Sequence, residues 1–231
     1  MREVVLDTET TGFDPESGDR IVEIGAVEVF NHLPTGRTYH QYINPERTMP
    51  AGAFEVHGLG DDFLRDKPVF AKIGAAFLAF IEDAPLVIHN ASFDMKFLNA
   101  ELKWMNLPPL PWERAVDTLA IARKKFPGSP ASLDALCRRF GINNTARTLH
   151  GALLDSEILA EVYLELVGGR QPDLVLSAAG QSGSDGVAGE TEWRARPRPE
   201  PLGSKITPQE FAAHEEFIQS LGDDALWRKL S

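Results

Sequence analysis

The chain has 231 residues, which is long enough for one sizeable domain with an appendage. Its formal net charge of −11 argues against the basic surface with which most nucleic-acid-binding proteins neutralise many phosphates, although an enzyme that contacts few phosphates is compatible with it. Cys137 is the only cysteine and no stretch has the about 20 apolar residues of a membrane span, which excludes a disulfide framework, a thiolate zinc cluster and a membrane partner. Because the sequence starts with no charged leader segment, we expect a cytoplasmic protein.

The first part of the chain predicts three strands joined by short turns. Residues 3–7 form the first and lead into a turn at Thr10–Gly12, residues 21–29 alternate as a half-buried strand does, and residues 38–43 form the third. This arrangement is typical of an antiparallel meander.

Helical and short apolar segments alternate after the meander. Strands are predicted at 86–88 and near Val116, and helices at 69–81, 93–104, 118–126, 133–140 and 152–167. Strands followed by alternating helices and strands predict an α/β fold, in which helices flank a mixed sheet of a three-stranded meander plus parallel strands.

The composition divides the chain into three segments. Residues 1–170 carry the periodic apolar pattern, whereas residues 171–204 are rich in Gly, Ser and Pro and predict a flexible linker. In residues 205–231, Thr207–Glu210 reads as a capping box that starts a short terminal helix. The apolar residues of this segment have no core of their own to cover them: Phe211, Ile218, Leu221, Leu226 and Trp227.

Asp7 and Glu9 are the first candidate site residues. Residues i and i+2 of a strand point to the same face, so both carboxylates are expected to leave the sheet together at the strand end. Two solvated acids at a strand edge are the alternative. The turn that includes Thr10 favours a site, because it offers backbone amides to a phosphate.

Two further carboxylates lie beside apolar segments. Asp94 follows the strand at 86–88, where α/β proteins place ligands, although taken alone it is better explained as a helix cap. Asp155 lies three, four and seven residues before Ile158, Leu159 and Val162, on the apolar stripe of the last helix. A carboxylate there needs a cation or a donor, so a metal ligand is favoured over a buried capping acid.

His150 precedes the last helix. A histidine in that loop suits a general base that takes a proton from water, whereas a surface histidine without a role is the alternative. Four converging carboxylates would repel each other unless cations balanced them. Two Mg²⁺ or Mn²⁺ ions would do so, and would hold the attacking and leaving oxygens of a phosphodiester roughly 4 Å apart.

Three short motifs resemble those of the DEDDh exonuclease family: Asp7–Gly12, Asn90–Asp94 and His150–Asp155. Within the family the chain is most similar to the proofreading exonucleases of bacterial replicative DNA polymerases, with further likeness at Ile24–Val29, Val56–Gly58 and Ser132–Cys137. The resemblance implies an RNase H-like fold and hydrolysis from a DNA 3′ end, single-stranded or frayed, that releases nucleoside monophosphates.

The resemblance also implies roles for the site residues. Asp7 would bridge both metals, Glu9 and Asp155 would hold the metal that activates water, Asp94 would support the second metal, and His150 would take the water's proton.

Three residues are expected to contact the substrate. Thr10 belongs to the phosphate-binding turn, and the resemblance places His57 beside the terminal nucleotide and Phe93 against it. An ordinary turn histidine and a core aromatic are the alternatives for His57 and Phe93.

The resemblance further implies partners. The terminal segment, with Phe211, Ile218, Leu226 and Trp227, would bind the alpha subunit of the polymerase. The run Gln171–Leu176 is similar to motifs that dock on a sliding clamp, through Gln171, Leu174 and Leu176. A small accessory subunit is a further partner to be considered.

Two other hypotheses compete with proofreading. The chain would otherwise be a free-standing exonuclease acting on single-stranded DNA or RNA, or a non-catalytic brace between polymerase and clamp. The linker and terminal helix favour the first hypothesis over a free-standing enzyme. The complete set of four acids and one histidine argues against bracing as the sole role.

Overall fold

A computed structural model gives the structure of the chain and describes residues 1–145, 147, 149–169 and 206–221. Contacts divide the chain into two units, Met1–Leu176 and Ser177–Ser231. No helix in the described ranges is both long enough and apolar enough to cross a membrane.

The first unit is built on a five-stranded mixed sheet in the order β3-β2-β1-β4-β5. β1 pairs antiparallel with β2, and β2 pairs antiparallel with β3, whereas β1–β4 and β4–β5 are parallel. The strands are β1 (Arg2–Thr10), β2 (Ile21–Phe30), β3 (Leu33–Tyr42), β4 (Leu86–Ile88) and β5 (Ala115–Asp117). The predicted meander with added parallel strands is therefore confirmed, and β1 lies at the centre of the sheet.

The helices of this unit are α1 (Ala51–His57), α2 (Asp61–Leu64), α3 (Phe70–Ile81), α4 (Ala91–Trp104), α5 (Thr118–Lys125), α6 (Leu133–Phe140) and α7 (Ala152–Leu166). Of these, α3 to α7 cover the two faces of the sheet. Successive residues of β1 point to opposite faces, so Val4 and Leu6 join the core under α3 and α4, whereas Val5 joins the core under α5, α6 and α7. Burial of apolar area in these two cores holds the sheet between its two helical layers.

The prediction that the first strand ends near Asp7 was wrong, and the sequence carried no prediction for the segment after β3. β1 continues to Thr10, so Asp7 and Glu9 do not leave the sheet at a strand end but pair within the ladder, opposite Gly25 and Glu23. α1 and α2 were not predicted from the sequence. Both are shorter than eight residues and neither has a side-chain N-cap, so they carry no local start signal.

In the second unit, α8 (Pro208–Ser220) begins with the predicted capping box. The Thr207 hydroxyl accepts from the Glu210 backbone N–H at 3.3 Å, and the Thr207 N–H donates to the Glu210 carboxylate at 2.8 Å. No residue of α8 is buried, and Phe211 and Phe217 are more than half exposed. The remaining predictions for the tail lie outside the described residues: the linker 171–204 with Gln171, Leu174 and Leu176, and the terminal pair Leu226 and Trp227.

The start of α7 lies directly on β2 at Gly25. A Cβ atom at Gly25 would lie 2.2 Å from the backbone of Ala152 and Leu153, and the Ser156 hydroxyl donates to the Gly25 carbonyl at 2.9 Å. Since Gly25 pairs with Asp7 across the β1–β2 ladder, this approach brings the first turn of α7 over the end of β1 that carries the acids. Glycine is required here because any side chain would collide with backbone.

We expect Gly25→Ala to destabilise the chain by about 1–3 kcal/mol or more, since overpacking against a backbone cannot be relieved by a rotamer change. Urea denaturation followed by circular dichroism measures the effect. Gly52→Ala is the matched control, because Gly52 is an exposed residue of α1 at which an added methyl group would meet nothing within 4 Å. Equal urea midpoints for Gly25→Ala and the unaltered chain would contradict the packing argument.

Candidate active site

Asp7 and Glu9 point from the central strand towards α7. Glu9 is 7% exposed, and its Oε1 atom is buried with no hydrogen-bond partner among the described residues. Asp7 lies where the cavity beside β1 and the groove beside α7 meet. The middle of a sheet is a rigid position, so these two carboxylates are fixed by the strand pairing itself.

Asp94 reaches the same place from the other layer of helices. α4 begins at Ala91, with Asn90 in a left-handed conformation (φ 65°) as its N-cap, so Asp94 lies inside the first turn and does not cap the helix. Its carboxylate is 3% exposed and accepts a 2.7 Å hydrogen bond from the Thr8 hydroxyl. The capping alternative for Asp94 is thereby wrong.

Asp155 and His150 approach from the α7 side. Asp155 is 3% exposed, in the first turn of α7, as its position on the apolar stripe indicates. His150 lies in the loop before the helix, and its backbone N–H donates to the Val56 carbonyl at 3.1 Å. One ligand atom each of Glu9, His150 and Asp155 lies within 4.8 Å of the other two.

Burial raises the pKa values of three of these carboxyls. Desolvation raises the pKa of Glu9 to about 8, with the nearby Asp155 charge adding to it, and it raises the pKa of Asp94 to about 7. The pKa of Asp7 is raised well above its ordinary value by burial and then by Asp94, Glu9 and Asp155. Protein neighbours alone therefore do not balance the negative charge that this cluster would carry.

These residues fit a divalent metal ion. The cluster offers carboxylate oxygens, which hard cations prefer, and the unpartnered Oε1 of Glu9 is an acceptor with no donor among the described residues. A cation would also offset the desolvation and the repulsion that raise the carboxyl pKa values. The described residues thus provide both the donor atoms and the electrostatic need for such an ion.

A cavity of about 810 Å³ opens beside the cluster, and this volume lies in the range of small-molecule sites. Its lining includes all three predicted substrate contacts, Thr10, His57 and Phe93. The Thr10 hydroxyl donates to the Gly12 carbonyl at 2.6 Å and so holds the turn. Phe93 lines the cavity, and its ring also packs on Phe97, with the ring centroids 5.0 Å apart. It therefore belongs to the core and to the cavity wall at once.

His57 forms the buried part of the cavity wall. It is 5% exposed, at the end of α1, and its Nδ1 accepts from the Leu59 backbone N–H at 3.1 Å. The accepting Nδ1 places the proton of the neutral ring on Nε2. Burial lowers the pKa of His57, which favours this neutral form.

Sequence reasoning missed two residues of the site. Phe13, in the turn after β1, is 88% exposed on the cavity rim. Arg147 contacts Asp155 through two nitrogens, at 2.5 and 2.9 Å. An arginine three residues before His150 was a visible signal, but nothing in the local pattern shows where a loop side chain points.

Comparison with known proteins identifies related chains. The family described as Exonuclease matches residues 4–163. DNA polymerase III subunit epsilon of Rickettsia felis is 48% identical over 224 residues, covering 96% of this chain and 97% of the relative. The Escherichia coli protein of the same name is 43% identical over 237 residues, covering 98% and 97%.

Solved structures with the same fold include Exonuclease X in complex with 5′ overhanging duplex DNA. It is 27% identical, with a TM-score of 0.56, and the match covers 71% of this chain and 90% of that one. E. coli Exonuclease I in complex with a dT13 oligonucleotide has a TM-score of 0.64 at 18% identity, covering 72% and 41%, and supports the fold alone.

We expect Glu9→Gln to stabilise the chain at pH 8 in the presence of a chelator. The folded-state pKa of Glu9 is about 8 and its ordinary value is 4.5, so the unfolded chain gives up this proton first as pH rises. Stability is therefore lost between about pH 4.5 and pH 8, and the variant escapes that loss. The gain should be roughly 2 kcal/mol or more, since one pKa unit corresponds to about 1.4 kcal/mol.

Urea denaturation at pH 5 and pH 8 measures this difference. Glu113→Gln, at an exposed glutamate outside the cavity, is the control and should show no pH-dependent gain. A Glu9→Gln chain with the same pH dependence as the unaltered chain would show that Glu9 is not desolvated.

Proposed function

The chain belongs to the family of DNA polymerase III epsilon subunits, 3′–5′ exonucleases of the replicative polymerase, and we propose that Asp7, Glu9, Asp94, His150 and Asp155 form its active site. There the terminal nucleotide of a mismatched primer is released by hydrolysis of its phosphodiester. The observation that carries this assignment is the convergence of four carboxylates and one histidine, from β1, α4, α7 and the loop before α7, where the cavity and the groove meet.

Two Mg²⁺ or Mn²⁺ ions fit the cluster best. Its protein donors are carboxylate oxygens and one imidazole, which favours these ions over Zn²⁺. Bound there, the ions supply Lewis-acid stabilisation of phosphate charge and a lower pKa for water. Asp7, Glu9 and Asp155 would hold one ion, and Asp7 together with Asp94, whose carboxylate accepts from the Thr8 hydroxyl, would hold the other.

His150 serves as the general base. Burial, followed by the neighbouring Arg147 charge, lowers the pKa of His150, so the imidazole is neutral near pH 7 and can accept a proton. Its backbone is anchored to Val56 while its side chain stays half exposed, at the junction of the cavity and the groove. A ring in this position could take a proton from the attacking water and pass it to solvent.

The cavity receives the terminal nucleotide. Phe93 and Phe13 offer apolar surface to its base and sugar, and Thr10 keeps the turn beside its phosphate in place. His57 lies in the same cavity wall, and its Nε2 atom is buried with no hydrogen-bond partner among the described residues. A charge of −11 gives weak general affinity for DNA, so the substrate is a frayed end held nearby by a partner.

Partner binding is assigned to the tail. Phe211 and Ile218, seven residues apart, lie on one side of α8, and we assign this side, together with Leu226 and Trp227, to the polymerase alpha subunit. Gln171, Leu174 and Leu176 are assigned to a sliding clamp, and a small accessory subunit is a candidate partner of the nuclease unit. With these partners the chain acts in the cytoplasm.

His150→Ala should retain divalent-ion binding and lose about 10²–10⁴-fold in rate, the usual contribution of general base catalysis. Asp7→Ala should remove activity at every Mg²⁺ concentration, because it removes the shared ligand. Hydrolysis of a short single-stranded oligonucleotide and Mn²⁺ binding by calorimetry measure the two effects. Full activity of Asp7→Ala would contradict the assignment of the metal site.

Removing residues 205–231 should leave oligonucleotide hydrolysis unchanged and abolish co-purification with the polymerase. The double substitution Phe211→Ala/Ile218→Ala should weaken co-purification strongly, because it truncates one side of α8. The matched control is Gln209→Ala/Glu216→Ala on the other side of the same helix. Equal recovery of polymerase with both double variants would show that this side of α8 is not the docking surface.

A further inference from the structure

Arg147 is built into the catalytic cluster although it is not one of the five assigned residues. It lies in the connection between α6 and α7, and its side chain is only 9% exposed. The Nε atom donates to Asp155 Oδ1 at 2.5 Å and an Nη atom donates to Asp155 Oδ2 at 2.9 Å. Both oxygens of this buried carboxylate are thus engaged by one guanidinium.

A guanidinium in this position competes with a divalent ion for Asp155. The carboxylate oxygen that faces Glu9 and His150 belongs to the group of candidate metal ligands. Two cations bound to one buried carboxylate repel each other strongly, because little water lies between them to screen the charge. Asp155 can therefore be fully used as a ligand only when Arg147 has withdrawn from it.

The same guanidinium also holds His150. One Nη atom lies 3.0 Å from Nδ1 and 3.3 Å from Nε2 of the imidazole. Arginine only donates hydrogen bonds, so at this contact the imidazole offers its lone pair to Arg147. A general base needs that lone pair for the proton of water, and Arg147 therefore keeps His150 from acting while it stays in place.

We propose that Arg147 is a positioning residue that competes with the catalytic metal ion for Asp155 and that its withdrawal frees His150 to act as the base. The proposal rests on the function assigned above. Arg147 thereby couples the two requirements of the reaction. When a metal ion occupies the site, Arg147 leaves Asp155 and the lone pair of His150 becomes free to accept a proton.

Asp134 is a second carboxylate partner with which Arg147 can pair after it leaves Asp155. Its Oδ1 atom already accepts from the third guanidinium nitrogen at 3.0 Å, and its side chain is half exposed at the start of α6. Arg147 can turn away from Asp155 and keep this ion pair in contact with solvent, so its charge stays compensated. The alternative is that Arg147 orients Asp155 for the metal, and this alternative predicts the opposite sign for the effect of removing it.

Mn²⁺ titration of the full chain by calorimetry separates these two cases. Arg147→Gln removes the competitor and should bind Mn²⁺ on the order of tenfold more tightly, which is about 1.4 kcal/mol. Arg123→Gln is the matched control, since Arg123 lines the same groove but does not contact Asp155, and it should change affinity by less than about threefold. Unchanged or weaker binding by Arg147→Gln overturns the proposal.

Arg147→Lys guards against a folding defect of the glutamine variant. Lysine keeps the positive charge but cannot engage both carboxylate oxygens, so its Mn²⁺ affinity should lie between those of the unaltered chain and Arg147→Gln. A lysine variant that binds no more tightly than the unaltered chain counts against the proposal, and circular dichroism establishes that each variant is folded.

The nitrogen resonances of the His150 imidazole provide a second readout. Mg²⁺ should shift them in the unaltered chain, whereas in Arg147→Gln they should already be shifted before Mg²⁺ is added. Identical spectra of the two ion-free proteins overturn the link to His150.

Oligonucleotide hydrolysis by the unaltered chain tests the nuclease assignment separately. If that chain hydrolyses DNA while the Arg147 variants behave otherwise than stated, only the proposal on Arg147 is overturned. If the unaltered chain neither hydrolyses DNA nor binds Mn²⁺, both the nuclease assignment and the proposal on Arg147 are overturned.

Discussion

Carboxylates held together out of water repel one another, and the centre of this fold is arranged around that repulsion. Burial raises the pKa values of Asp7, Glu9 and Asp94, so each gains from a nearby cation. Arg147 supplies one positive charge, to Asp155. Burying these carboxylates together lowers the free energy of unfolding of the ion-free chain. A bound divalent ion offsets that loss, so the same arrangement favours binding of the ion.

The packing around the cluster leaves no room for larger side chains at specific positions. α7 can carry Asp155 to β1 only because Gly25 leaves room for its first turn, and the Ser156 hydroxyl fastens that turn to the strand. On the other face, the Thr8 hydroxyl fixes Asp94. Asp94 on α4 and Asp155 on α7 thus approach the same point from opposite faces of the sheet. Each helix is positioned by its own apolar core and by a side-chain hydrogen bond to a strand.

Much of this arrangement could be predicted from residue patterns. Alternation identified β2, helical spacing identified α7, and the apolar stripe of α7 required Asp155 to be buried. Asp94 and His150 were ambiguous alone, because a helix cap and a surface histidine have the same local sequence. α1 and α2 lacked capping signals, and β1 ran on through its site residues. Arg147 and Phe13 could not have been found, since their contacts are made by loops whose direction only tertiary packing decides.

The placement of Asp7 and Glu9 in the middle strand affects how the enzyme would lose activity. β1 is paired on both sides, so its amides should open to solvent exchange only when the whole unit unfolds. The carboxylates of β1, which we propose as metal ligands, should therefore separate only on global unfolding, whereas His150 lies outside the sheet and the helices. Under mild heating the population would first contain molecules that keep these carboxylates assembled while His150, the proposed base, is displaced, and such molecules would occupy a DNA end without trimming it.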